Sequence, residues 1–99
     1  MTREDIEKRV LPLDWQSEFY HRFKNRSLVA KTGLDFNLRI AMRSGAEYRL
    51  LIKETPDGEF IEAREVEHEW EAYNLARAMQ IDKLCDILRI MEWEEWHER

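Results

Sequence analysis

Residues 34–43 read Leu-Asp-Phe-Asn-Leu-Arg-Ile-Ala-Met-Arg. Leu34, Phe36, Leu38, Ile40 and Met42 alternate with Asp35, Asn37, Arg39, Ala41 and Arg43. A period of two over ten residues marks a strand with one buried face. Tyr48, Leu50 and Ile52 repeat the alternation, so a hairpin is expected around Ser44-Gly45. Directly opposed residues share a face. An odd-length loop therefore pairs Met42 with Tyr48, Ile40 with Leu50 and Leu38 with Ile52, and sets Arg43 beside Glu47. The other face of this hairpin then presents Asn37, Arg39, Ala41, Arg43, Arg49 and Lys53.

Downstream, Thr55-Pro56-Asp57-Gly58 is a turn: proline presets its φ, aspartate tolerates the next position and glycine supplies a positive φ. A third strand is expected over about 59–64. From Glu65 the period becomes helical, with Val66, Trp70 and Tyr73 in one stripe and an acidic first turn that suits the helix dipole. A break near Gln80–Asp82 predicts a separate last helix reaching Trp96. Its apolar arc is Ile81, Leu84, Cys85, Ile87, Leu88, Met91 and Trp96; Ile90 and Trp93 fall outside it.

Upstream, Thr2 and Asp5 resemble a capping box for a short helix ending near Leu11, ahead of Pro12. Trp15, Phe19 and Phe23 recur every four residues, which predicts a helix over 15–31 capped by Asp14 and closed by Gly33. The expected fold is α+β: N-terminal helices, a three-stranded antiparallel sheet and two C-terminal helices packed on one sheet face. All 99 residues fit one domain.

Charge is segregated. Residues 1–53 hold 11 Lys/Arg against 7 Asp/Glu, a net of +4; residues 54–99 hold 5 against 14, a net of −9. Such asymmetry points to a charged macromolecular partner. Cys85 is the single cysteine, so no intrachain disulfide forms and a cytoplasmic setting is expected. No apolar run approaches the ~18 residues of a membrane span. The polar start, Met1 to Asp5, lacks the apolar stretch of a signal peptide.

The motifs argue against catalysis. Glu65-x-x-His68 offers two ligands where a metal site needs three or four. Asp82 and Asp86 flank Cys85, which disfavours its thiolate. Ser17, Ser27 and Ser44 lie in no nucleophile motif, and three scattered glycines make no phosphate loop. No catalytic residue, metal or cofactor is expected.

The order helix, three strands, helix is similar to that of double-stranded-RNA-binding domains. Those begin the helix after the sheet with lysines; here that position reads Glu65-Val66-Glu67-His68-Glu69. With two closing helices the order also looks like some small acidic anti-CRISPR proteins of phages. That resemblance implies a protein that blocks a nuclease by occupying its DNA site.

The leading expectation is a non-enzymatic protein-binding module, most concretely an acidic inhibitor or regulator of a nucleic-acid-processing protein. Its carboxylates would mimic phosphates, with Glu92, Glu94 and Glu95 forming a rim around the anchors Ile90, Trp93 and Trp96, against a partner with a basic surface. One alternative is a nucleic-acid binder using Asn37, Arg39, Arg43, Arg49 and Lys53. Another is a structural protein that self-associates as a homodimer through its last helix. Nucleic acid is the lesser expectation because the net charge is −5, and no membrane partner is expected.

Overall fold

A computed structural model of the protein describes the backbone of residues 2–97 and the side chains of residues 2–92. The order is α1 (Arg3–Arg9), β1 (Trp15–Tyr20), β2 (Asn25–Lys31), β3 (Asn37–Ala41), β4 (Arg49–Glu54), β5 (Phe60–Val66) and α2 (Glu69–His97). The five strands form one antiparallel meander in chain order. The expected fold is thus corrected twice: the sheet has five strands rather than three, and one long helix closes the chain rather than two. The order on which both family resemblances rested is not the order of this protein.

The segment expected as a helix over 15–31 is the β1–β2 hairpin. Trp15 opposes Ala30, Ser17 opposes Leu28 and Phe19 opposes Arg26. The four-residue spacing of Trp15, Phe19 and Phe23 is an even number, so it fits a strand face as well as a helix face. The turn between the strands is hard to see in the sequence because its left-handed residue is Lys24, with φ 54°, where glycine or asparagine is usual. Gly33 and Gly45 also adopt positive φ, but in the β2–β3 and β3–β4 turns; Gly33 therefore ends no helix.

The β3–β4 register is shifted by one from the expected one. Ile40 opposes Leu51, Leu38 opposes Lys53, and Arg39 opposes Ile52. The run Leu50-Leu51-Ile52 lets either register bury apolar residues on both faces, so the pattern does not fix it. The Thr55–Gly58 turn forms as expected, with the Gly58 amide donating to the Thr55 carbonyl at 2.8 Å. β5 carries a bulge: Lys53 opposes Glu62 and Glu54 opposes Phe60, leaving Ile61 as the extra residue. Ala63 opposes Ile52.

Two apolar layers result. On one face, Phe36, Leu38, Ile40, Leu51 and Val66 pack under Ala72 and Ala76 of α2, with Trp15, Leu28, Tyr73 and Met79 around them. Tyr73 meets Trp15 edge-on at 5.5 Å between centroids. On the opposite face Val29, Ala41 and Ile52 are also buried, although α2 lies on the other side. The sheet covers this face by curling: Arg22 of the β1–β2 turn reaches the ring of Phe60 at the start of β5, 4.9 Å away.

α1 forms as expected. The Thr2 side chain accepts from the Asp5 amide, and the Asp5 side chain accepts from the Thr2 amide. Ile6 is its buried residue. Arg77 of α2 holds the following segment by donating to the carbonyls of Val10 (2.7 Å) and Leu11 (2.8 Å). No break occurs at Gln80–Asp82, where neither glycine nor proline interrupts α2. Asp82 is instead an ion-pair partner of Arg3.

Candidate functional site

A helix of 29 residues is about 43 Å long at ~1.5 Å per residue, more than the sheet beneath it needs. Lys83 pairs with Asp35 of the β2–β3 turn at 3.2 Å, marking where α2 passes the sheet edge. Beyond that point its described neighbour is α1, and a small cavity of about 130 Å³ is lined by Arg3 and Ile6 from α1 and by Cys85, Leu88, Arg89 and Glu92 from α2. The molecule is accordingly elongated, 57 × 25 × 19 Å.

The stripe that seats α2 on the sheet does not stop there. Ala72, Ala76, Met79, Lys83, Ile87 and Ile90 follow at three- and four-residue steps, one face of a helix. Ala72 and Ala76 are fully buried, but Ile90 is 58% exposed and its neighbour Met91 57%. Ile90 and Glu92, two of the expected partner-binding residues, therefore stand exposed near the far end of α2. Trp93, Glu94, Glu95 and Trp96 continue this helix, and their side chains lie outside the described residues.

The basic set expected on one face of the hairpin is divided by the observed register. Asn37, Arg39 and Ala41 lie on the curled face, whereas Lys53 lies on the helix side with Leu38 and Leu51. Lys53 sets its ammonium 4.8 Å from the Phe36 ring centroid. Arg39 is only 5% exposed. Its Nε and Nη2 donate to the Glu54 carboxylate at 3.3 and 3.0 Å, its Nη1 to Ser27 Oγ at 2.6 Å, and its Nη2 also to Glu18 at 3.3 Å. The guanidinium also stacks on Tyr20 at 4.3 Å. Burial by itself would lower the Arg39 pKa, but the Glu54 and Glu18 carboxylates outweigh it and hold the guanidinium above its ordinary value. Arg39 is thus a structural cation, committed within the fold.

Arg49, opposite Val66, lies on the helix side with Lys53 but at the other end of β4, and Arg43 lies on the β3–β4 turn. Both stand at the end of the sheet formed by the β1–β2 and β3–β4 turns. There they meet basic residues that a helix over 15–31 would have dispersed. Arg22, Lys24 and Arg43 surround an open cavity of about 400 Å³ with Phe23 and Ser44. Arg26 and Arg49 line a second one of about 270 Å³, with Ser17, Leu28, Ile40 and Met42. The sequence signal that could have found this site is the interleaving of aromatic and basic residues in Phe19-Tyr20-His21-Arg22-Phe23-Lys24.

Catalytic candidates gain no geometry. Among the described residues no group of three His, Cys, Asp or Glu side chains is placed to hold a metal. His68 lies parallel to the Trp70 ring at 5.9 Å, and Cys85 is half-buried in the α1–α2 cavity. Among the described residues no helix is long and apolar enough to cross a membrane. No protein-family model matches this chain, and no curated protein or solved structure matches it either.

Proposed function

We propose that this protein is a non-enzymatic binding module that engages a partner protein through the far end of α2. The observation that carries this reading is the sheet-seating stripe of α2, which runs past the sheet and leaves Ile90 and Met91 more than half exposed. Exposed apolar anchors beside acidic residues favour a partner whose contact surface is basic. Glu92, with Glu94 and Glu95 further along the sequence, supplies that acidic setting. The most concrete form of this function is inhibition or regulation of a nucleic-acid-processing protein, whose phosphate-binding surface is basic by necessity.

The test is site-specific photo-crosslinking from position 90 in cells expressing the protein, with position 64 on β5 as control. A basic partner protein should be captured from position 90 alone. Ile90→Asp and Trp93→Ala should each weaken binding to that partner by about 2 kcal/mol or more, the hot-spot threshold, with an unchanged melting temperature for Ile90→Asp. Crosslinks only to a second copy of this chain would replace this reading with structural self-association.

A further inference from the structure

The basic residues of the N-terminal half converge on the turn end of the sheet. Arg22 and Lys24 come from the β1–β2 turn, Arg26 from the start of β2, Arg43 from the β3–β4 turn and Arg49 from the start of β4. Arg22, Lys24 and Arg43 line a cavity of about 400 Å³, and Arg26 and Arg49 line another of about 270 Å³. Among the described residues no carboxylate lies within ion-pair distance of any of these five cations. Arg26 is instead steadied by Ser17, donating to its Oγ at 2.8 Å and to its carbonyl at 3.2 Å. Glu69 is the one acid lining either cavity, and it accepts the Tyr73 hydroxyl at 2.9 Å.

Aromatic rings stand among these cations. Phe19 opposes Arg26 across the hairpin and is 46% exposed. Phe23 is half-buried beside Lys24. Cations track a phosphate backbone, and an exposed ring provides a stacking surface for unpaired bases; a duplex hides its bases and an acidic peptide has no flat base to stack. The far end of α2, with its glutamates, lies at the opposite end of a molecule 57 Å long. That separation greatly exceeds the Debye length of ~8 Å at physiological salt, so those glutamates do not act on the cations. Glu47, Glu65 and Glu67, which line a separate cavity where β5 meets α2, lie at the turn end and reduce the local positive field.

We propose that the turn end of the sheet binds single-stranded nucleic acid, with phosphates held by Arg22, Lys24, Arg26, Arg43 and Arg49 and a base stacked on Phe19. This surface lies at the other pole from the protein-binding end of α2 and does not rest on that reading.

The experiment is fluorescence anisotropy of the whole protein with a labelled oligothymidylate of about 15 nucleotides, near the site sizes of single-strand binders. Four to five phosphate contacts on a single strand predict a fall in affinity of roughly 50- to 130-fold between 50 and 200 mM salt. Lys24→Glu with Arg43→Glu should reduce affinity at least tenfold, and Phe19→Ala several-fold. The double reversal Lys31→Glu with Arg64→Glu makes the same change in net charge away from the site and should leave binding unchanged. Circular dichroism checks that each variant is folded. No binding by the parent protein at 50 mM salt overturns the proposal. So does equal loss in the two double reversals, and so does competition by an acidic polyglutamate peptide as effective as that by unlabelled oligothymidylate.

Discussion

The two faces of the sheet are buried by different means. The helix side is closed by α2, whose Ala72 and Ala76 allow close approach to Leu38, Ile40 and Leu51. The other side is closed by the sheet's own curl and encloses an ion pair, Arg39–Glu54, among Val29, Ala41 and Ile52. The first face draws its stability from apolar area and packing. The second depends on satisfying a buried cation: four of the five Arg39 N–H donors find acceptors in Glu54, Ser27 and Glu18. An ion pair so enclosed stabilises the fold only while both partners are present.

The largest expected effect lies on the curled face. Glu54→Ala leaves Arg39 buried without its main counterion and should cost about 3–5 kcal/mol in urea unfolding. Replacing both members, Arg39→Met with Glu54→Leu, should cost far less. Equal losses in single and double variants would show that the pair is not coupled and would remove the contrast between the faces. On the helix side, Ile40→Ala should cost about 2–5 kcal/mol, the usual range for a large-to-small core change. An unchanged denaturation midpoint would mean that α2 does not seal this face.

A smaller effect is expected at α1, which packs against α2. Thr2→Ala removes the N-cap and should cost about 1 kcal/mol. Backbone and side-chain hydrogen bonds from Thr2 hold the Asp5 carboxyl below its ordinary value of 3.8. A depressed folded-state pKa gives stability that is complete above the unfolded pKa and fades as pH falls through the folded one. Amide exchange in α1 should therefore quicken only on acidification below about pH 4, and Thr2→Ala should flatten that response. The smallest effect belongs to Ile90→Asp, which should leave stability within about 0.5 kcal/mol because the site is exposed. A substantial loss there would mean that the far end of α2 is covered and is not an interaction surface.

Legibility in the sequence follows local chemistry. The α1 capping box, the Thr55–Gly58 turn, the strand character of 37–41 and 49–54, and the burial of Ile40 all emerge from short-range pattern. The β1–β2 hairpin does not, because its aromatic spacing suits helix and strand alike and its left-handed turn residue is a lysine. The candidate surfaces divide in the same way. Exposure of Ile90 is expected from helical spacing, but its cause is tertiary: the stripe that seats α2 runs on past the sheet. The grouping of Arg22 and Lys24 with Arg43 requires two turns to meet in space, and the loss of Arg39 to the interior requires knowing the register.

The sequence alone determined the segregation of charge, the polarity of the elements and the residue types able to form a core, because these follow from composition and near-neighbour periodicity. The tertiary structure decided which arginines are committed and which stand exposed. β4 carries Leu50, Leu51 and Ile52 in succession, so both registers bury apolar area. Only the observed β3–β4 register places Arg39 opposite Ile52 and beside Glu54, with Arg43 and Arg49 at the turn end.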